Sequence, residues 1–232
     1  TNQPISHYRL DEVSGSVASD ESGSYNGTLV NMEDADWVSG KYGNALSLDG
    51  SNEYVEVTNV FDGLPEASFF TWVKPTSLSS DRVVIGDWGV TPRNILLYYD
   101  VIEDSWRLLI IDASGTKDIQ YVGNPTINEW IHIGFVYDAN SLRLYENGVE
   151  IGEDATVSTP IATSAGVLQL GGDFNSHPEW AGLIDDARFY DYALSETEIE
   201  SLYKSSAYHG CCGDDGVRDD FYNGTINSTN YF

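Results

Sequence analysis

The sequence is poor in basic residues, and this scarcity excludes several classes of partner. Its 232 residues contain 11 Lys and Arg against 37 Asp and Glu, which gives a formal net charge of −26. Nucleic acids bind to basic surfaces that neutralise their phosphates, and this chain has little to offer them. Anionic membranes are disfavoured for the same reason, and no apolar run reaches the ~18 residues of a membrane span. We therefore expect neither nucleic-acid binding nor membrane insertion.

Cysteine is equally scarce, because only the adjacent pair Cys211 and Cys212 occurs. Adjacent cysteines rarely bridge each other without backbone strain. The pair could be free, joined in a strained vicinal bridge, or paired intermolecularly with another chain. The CxxC spacing of redox sites is absent.

Several catalytic patterns are also missing from the sequence. The four histidines, at positions 7, 132, 177 and 209, show no HExxH or HxH spacing, so no zinc site is predicted. There is no Gly-x-Ser-x-Gly elbow and no phosphate-binding glycine loop. We therefore expect a protein that is not an enzyme.

The residues that are abundant favour β-structure. The chain has 15 Tyr but one Met, and about a dozen short apolar runs are separated by turn residues. Alternation is clearest over 130–137, and Asn147-Gly148 suits the type I′ turn of a hairpin. Alternating strand–helix units are absent. The pattern predicts an all-β sandwich of antiparallel sheets.

The C-terminal region predicts a strand, a helix and then a separate tail. In 181–203 a strand-like run is followed by Ser195, a helix N-cap whose capping box is completed by Glu198. We expect one domain over 1–207. The tail, 208–232, starts rich in Gly and Asp and ends rich in aromatic residues, which could pack on this domain or on a neighbouring sheet edge.

Several motifs, in order along 7–203, resemble the laminin-G-like domains of the concanavalin A-like lectin/glucanase superfamily. They are His7-Tyr-Arg-Leu-Asp-Glu12, Asp20-x-Ser-Gly-x-x-Asn-Gly27, Gly43-Asn-Ala-Leu-x-Leu-Asp-Gly50, Phe69-x-x-Trp-Val-Lys-Pro75, Trp130-Ile-His132, Leu144-Tyr-Glu-Asn-Gly148 and Gly182-x-Ile-Asp-Asp-Ala-Arg-Phe-Tyr190. The resemblance implies a concanavalin A-like jelly roll of two curved antiparallel sheets. Related hydrolases carry Glu-x-Asp-x-x-Glu on one strand, and that pattern is absent here.

The resemblance also implies a Ca²⁺ site that ties the two ends of the domain together. Asp20 and Asp185 would supply side-chain oxygens, and Ser22 and Gly27 would supply carbonyls, since calcium needs six to eight oxygen ligands. The alternative is that Asp20 caps a turn and Asp185 pairs with Arg188. A structural ion pair between Asp186 and Arg188 is predicted in either case, because side chains two apart share a strand face.

Exposed aromatic residues are candidates for sugar stacking, in which a ring covers the apolar side of a sugar. Trp88 and Trp180 stand beside loop residues and are the best candidates. The alternative for both is packing in the core.

Asn26, Asn223 and Asn227 lie in Asn-x-Ser/Thr sequons, which are glycosylation acceptors in secreted proteins. The two sequons in the tail favour an extracellular protein, and the start at Thr1 is interpreted as a processed or trimmed product. Two functions fit. One is a Ca²⁺-stabilised module that binds carbohydrate or cell-surface glycans, or mediates adhesion. The other is a structural subunit of an extracellular filament, appendage or viral fibre, assembled with copies of itself through the N-terminal arm and the tail.

Overall fold

Two stacked antiparallel sheets form the protein, in a computed structural model that describes residues 3–123, 125–174 and 177–205. Sheet I has the order β14-β13-β12-β7-β16-β5-β4, with β1 also paired to β16. Sheet II has the order β11-β10-β9-β8-β15-β6-β3-β2. The predicted all-β jelly-roll class is confirmed.

The strands of sheet I are β1 (Ser6–Tyr8), β4 (Trp37–Ser39), β5 (Asn44–Asp49), β7 (Ala67–Pro75), β12 (Ile131–Tyr137), β13 (Leu142–Glu146), β14 (Val149–Asp154) and β16 (Ala181–Tyr190). Those of sheet II are β2 (Val17–Ala18), β3 (Gly27–Val30), β6 (Tyr54–Thr58), β8 (Arg82–Gly86), β9 (Ile95–Asp100), β10 (Ser105–Asp112), β11 (Gly115–Val122) and β15 (Val167–Leu170). A 3₁₀ turn, Asp34–Asp36, precedes β4, and one helix, α1 (Glu196–Ser205), follows β16.

The main core lies between the sheets and follows the period-2 alternation of the strands. In β12, Ile131, Ile133, Phe135 and Tyr137 all belong to this core. The alternate side chain Val136 faces away from it and joins a smaller cluster with Ile199 of α1. The strands at the centre of sheet I are therefore buried on both faces, because α1 covers part of the outer face.

The predicted helix start is confirmed in detail. The Ser195 N–H donates to a Glu198 carboxylate oxygen at 2.8 Å, and the Glu198 N–H donates back to Ser195 Oγ at 3.4 Å. This reciprocal capping box satisfies backbone donors that the first helical turn leaves unpaired.

The predicted hairpin turn is also present between β13 and β14. Asn147 and Gly148 have φ values of 52° and 78°, as a type I′ turn requires. The predicted tail, 208–232, lies outside the described residues, and so does the predicted domain boundary at 207. Among the described segments, no helix is long and apolar enough to cross a membrane.

Candidate functional site

A buried carboxylate organises two basic side chains on the outer face of sheet I. His7 of β1 stands opposite Arg188 of β16 in the strand register, so both lie on one face. His7 Nε2 lies 2.6 Å from Asp186 Oδ1, and Arg188 reaches Asp186 through Nε at 3.1 Å and Nη2 at 3.0 Å. The Asp186 carboxylate therefore holds the His7 imidazole and the Arg188 guanidinium in place. The predicted Asp186–Arg188 ion pair is confirmed.

The electrostatics of this cluster keep Asp186 ionised. Burial by itself would raise the pKa of Asp186, but the hydrogen bond from His7 and the charge of Arg188 outweigh it and hold the pKa at about 2. A local bulge makes the arrangement possible. The register of β16 against β7 shifts between Asp185 and Arg188, and Asp186 itself has a φ of 50°.

A cavity of about 830 Å³ opens beside this cluster, between α1, β1 and the loop after Asp20. We call it the helix-side cavity. It is lined by Gln3, Pro4, His7, Glu21, Ser22, Arg188, Tyr190, Tyr192, Leu194, Thr197, Glu198, Ser201 and Leu202. The volume lies in the range of small-ligand pockets, which combine aromatic walls with a few convergent polar groups.

The walls of the helix-side cavity carry both kinds of group. Tyr190 and Tyr192 pack edge to face with their ring centroids 5.5 Å apart. Arg188 and His7 supply donors, and hydroxyl groups come from Thr197 and Ser201 on α1. The arrangement can bind a hydroxyl-rich ligand, with rings against its C–H groups and polar side chains on its oxygens.

The Asp20 carboxylate is occupied by hydrogen bonds from its own loop. Its Oδ1 accepts the N–H groups of His7 at 2.8 Å and Ser22 at 3.1 Å. Its Oδ2 accepts those of Ser24 at 3.2 Å and Tyr25 at 3.0 Å, together with the Ser22 hydroxyl. Burial alone would raise the pKa of Asp20, but these donors lower it. Asp20 thus acts as a turn cap that fastens the loop to β1.

Asp185 is fully buried and has different partners. Its Oδ2 accepts the N–H groups of Lys41 at 2.8 Å and Tyr42 at 2.9 Å, while Oδ1 is buried without a hydrogen-bond partner. Burial raises its pKa to about 8, so the carboxyl is largely protonated at neutral pH. The alternative in which Asp185 pairs with Arg188 is wrong, because the bulge gives that role to Asp186.

These residues do not fit a calcium ion in the arrangement described. The Asp20 carboxylate accepts N–H groups of β1 and its own loop, whereas the Asp185 carboxyl accepts those of Lys41 and Tyr42. Across the described parts of the chain, no group of three or more His, Cys, Asp or Glu side chains is placed to hold a metal ion. Calcium binding stays a prediction of the sequence.

The two predicted stacking residues differ in their exposure to solvent. The expected exposure of Trp180 is wrong, because its side chain is fully buried, stacks on Trp106 at 6.3 Å and donates through Nε1 to the Leu183 carbonyl at 3.1 Å. The chain turns back into β16 at this point, which carries the indole into the core. Trp88 is partly exposed, and the Arg93 guanidinium lies 4.3 Å from its ring centroid.

Of the predicted modification sites, one can be placed. Asn26 is exposed, and its side-chain oxygen accepts the Asp20 N–H at 2.9 Å. Asn223, Asn227, Cys211 and Cys212 lie outside the described residues.

The residues of the helix-side cavity were missed by sequence reasoning. One signal was present, because Asp186, Arg188 and Tyr190 stand at every second position of a strand and so share a face. Nothing in the sequence placed His7 or Ser201 beside them. His7 lies 179 positions before Asp186 in the chain, and Ser201 lies on a helix whose docking the sequence does not specify.

The two facing antiparallel sheets define a jelly-roll β-sandwich. Residues 49–200 match the family model Laminin_G_3, described as the concanavalin A-like lectin/glucanases superfamily. The match covers more than half of the chain, so the chain belongs to this family. A stretch of 85 residues, 35% of the chain, is 27% identical to mouse (Mus musculus) pappalysin-1, and the match spans only 5% of that relative's length.

Solved structures share the fold at low sequence identity. Domain 4 of AbnA, a GH43 extracellular arabinanase from Geobacillus stearothermophilus, in complex with arabinotriose, gives a TM-score of 0.68 at 21% identity, over 87% of this chain and 98% of that one. The botulinum neurotoxin serotype D ligand binding domain with N-acetylneuraminic acid gives 0.67 at 14%, over 88% and 51%. Trypanosoma rangeli sialidase gives 0.68 at 15%, over 91% and 34%.

Proposed function

We propose that this chain is a non-catalytic, extracellular carbohydrate-binding module that takes an uncharged sugar in the helix-side cavity. The observation that carries the proposal is the cavity itself, in which Tyr190 and Tyr192 stand beside the donors Arg188 and His7. Asp186 fixes both donors before any ligand arrives, so little ordering is left to be done on binding.

The charge of the cavity favours a neutral ligand. Arg188 is already paired with Asp186, while Glu21 and Glu198 add acidic groups to the lining. The whole chain carries a formal charge of −26, which would repel an acidic sugar. Hydroxyl groups, which both donate and accept, suit this mixture of polar side chains.

The helix cap argues against a catalytic role for the carboxylate at 198. The Glu198 carboxylate accepts hydrogen bonds from both the N–H and the hydroxyl of Ser195, so it is engaged at the start of α1. A glycosidase needs a second carboxyl group held across the sugar from a free acid. We therefore propose binding without hydrolysis.

Two neighbours in fold support carbohydrate as the class of ligand, and one of them supports the extracellular location. One is a domain of an arabinanase described as extracellular and bound to arabinotriose, and another binds N-acetylneuraminic acid. For this chain carbohydrate binding is a proposal, because sequence identities of 21% and 14% to these neighbours establish only a shared fold.

The test is to block the cavity from the helix. Ser201 lines the cavity and is exposed, whereas its neighbour Glu200 is exposed outside the lining, so Ser201→Trp and Glu200→Trp form a matched pair. Binding of neutral and sialylated oligosaccharides is measured on a glycan array and by titration calorimetry. We expect Ser201→Trp to weaken binding at least about tenfold and Glu200→Trp to leave it unchanged. Equal binding by both variants would overturn the cavity as the site, and preference for sialylated sugars would overturn the neutral ligand.

A further inference from the structure

The strands at the ends of the two sheets differ in how much free backbone they present. At one side of the sandwich, β2 and β4 have only two and three residues. At the other side, β11 and β14 have eight and six residues. An end strand carries a row of N–H and C=O groups without strand partners, and a short strand limits that row. The long edges, β11 and β14, are therefore the ones that could take up another strand.

β11 and β14 differ in the charge that they expose. On β11 the Asp118 carboxylate is compensated, because Arg107 of the neighbouring strand contacts it at 2.6 Å. On β14 the side chains of Glu150 and Glu153 are both exposed. β14 is therefore the more acidic of the two long edges.

The two β14 carboxylates lie on the outer face of sheet I. Glu150 is opposite Tyr145 in the register, and Glu153 is opposite Arg143. Tyr145 belongs to the small outer cluster shared with α1, and residues directly opposite each other share a face. Arg143 is already engaged elsewhere, because its Nη2 contacts Asp138 at 2.5 Å. The outer side of β14 therefore presents two exposed carboxylates.

The other side of β14 begins with an apolar residue that is open to solvent. Val149 is 64% exposed and is opposite Glu146, whose carboxylate accepts the Trp106 Nε1–H at 2.7 Å. Tyr121 of β11 is opposite Trp106 and only partly buried. Val149 and Tyr121 therefore flank the Trp106–Glu146 contact, one on each sheet, and leave apolar surface beside the start of β14.

A bulge divides β14 into two short stretches. Val149 and Glu150 pair with one end of β13, but the next paired residue is Gly152, so Ile151 is an extra residue. Such a bulge bends and twists a strand. The regular stretches are Val149–Glu150 and Gly152–Asp154, so only a short partner strand can follow this edge.

Like charge makes a second copy of the chain a poor partner for β14. Pairing two copies of the strand would bring Glu150 and Glu153 against identical carboxylates, and like charges on adjacent strands are destabilising. Glu196, an exposed residue at the start of α1, adds negative charge near Tyr145. Each chain also carries a formal charge of −26. The edge is therefore complementary to a basic strand.

We propose that the outer edge of β14, which we call the β14 edge, binds a short extended segment of a partner protein in which basic and apolar residues alternate. The backbone of the segment pairs with the free N–H and C=O groups and extends sheet I by one strand. Its Lys or Arg side chains meet Glu150 and Glu153, while its apolar side chains pack beside Val149 and Tyr121. The β14 edge is separate from the helix-side cavity, so either proposal can fail without the other.

Three synthetic hexapeptides with blocked ends test the proposal on the full chain. In the first, three lysines alternate with three valines. The second has the same residues in two blocks, and the third is the alternating peptide with every backbone amide N-methylated. Titration calorimetry measures affinity, and hydrogen exchange follows the amides of β14. We expect the alternating peptide to bind at least about tenfold more tightly than the other two and to slow exchange in β14.

Charge reversal on the protein is the matched counterpart. Glu150→Lys combined with Glu153→Lys should weaken binding of the alternating peptide at least about tenfold. The control combines Glu56→Lys with Asp191→Lys, the same change of charge at exposed residues away from β14. Val149→Ser keeps the charge and should also weaken binding, which protects the test if the double reversal misfolds. Circular dichroism and thermal unfolding check the fold of each variant.

Several outcomes would overturn the β14 edge. Equal affinity for the alternating and block peptides would show attraction by charge alone, and equal affinity for the N-methylated peptide would exclude backbone pairing. Undiminished binding by both the double reversal and Val149→Ser would place the peptide elsewhere. Binding of none of the peptides also rejects the proposal. So does a dimer of the free protein, seen by sedimentation, with protected β14 amides, because the occupant is then a second copy.

Discussion

Asp185 and Asp186 are adjacent in β16, yet their carboxyl groups favour opposite protonation states. Burial raises the pKa of Asp185 to about 8, whereas the hydrogen bond from His7 and the charge of Arg188 overcome burial and hold the pKa of Asp186 at about 2. The bulge at Asp186 sends the two side chains to different partners. The Asp185 carboxyl therefore accepts hydrogen bonds from backbone N–H groups, while the Asp186 carboxylate contacts two basic side chains.

The raised pKa of Asp185 predicts that stability falls as the pH rises. The folded state holds this proton to about pH 8, whereas the unfolded state releases it near pH 4, so ionisation costs the folded state increasingly between these values. We expect the free energy of unfolding of Asp185→Asn, taken relative to wild type, to be about 2–4 kcal/mol higher at pH 9 than at pH 4. Urea unfolding at both pH values measures this. Asp191→Asn, an exposed acid just after β16, is the control, and a pH-independent difference for Asp185→Asn would contradict the expectation.

Removal of the Asp186 charge should destabilise the fold, because it leaves His7 and Arg188 without their shared partner. Asparagine tolerates the positive φ of position 186 and isolates the effect of charge. We expect Asp186→Asn to cost about 2–4 kcal/mol at pH 7. Because the folded pKa is depressed, this advantage of the wild type is present above about pH 4 and is lost as the pH falls toward 2. Denaturant unfolding at pH 7 and pH 3 measures it, and an equal cost at both pH values would show that the loss is not electrostatic.

Asp20→Ala should destabilise the protein whether or not calcium is present. The substitution leaves backbone N–H groups of the loop without their acceptor, at an expected cost of about 2–4 kcal/mol. Thermal unfolding in excess Ca²⁺ and in EGTA tests this, with the exposed Glu21→Ala as control. A stabilisation of the wild type by Ca²⁺ that disappears in Asp20→Ala would instead support the calcium site predicted from the sequence.

Trp180 and Trp88 should respond in opposite ways to truncation. Trp180→Ala removes a buried indole from the core and should cost about 3–5 kcal/mol of stability. Trp88→Ala should cost much less stability, because the Trp88 side chain is partly exposed. Chemical denaturation of both variants beside the wild type makes the comparison. Similar stability losses at the two positions would show that Trp88 is also a core residue.

Local features were predicted well from the sequence because their determinants are close together in the chain. Ser195 and Glu198 are three residues apart and form the capping box they predict. Asn147 and Gly148 fix their own turn through their tolerance of positive φ. The Asp186–Arg188 pair follows from strand alternation, and the family motifs supplied the sandwich.

Features that depend on contacts distant in sequence were decided only by the tertiary structure. The alternation of β16 did not reveal the bulge that assigns Asp185 and Asp186 different partners. The position of Trp180 beside loop residues did not reveal that its ring enters the core.

By itself, the sequence determined the all-β class, the family, the helix cap and the hairpin turn, because each rests on spacing within a short segment. Only the tertiary structure brought His7, Arg188 and Ser201 around one cavity and packed Trp88 against the outer cluster that contains Tyr98. The physical reason is that strand pairing and helix docking bring together residues far apart in the chain, and a single sequence carries no local signal of which ones will meet.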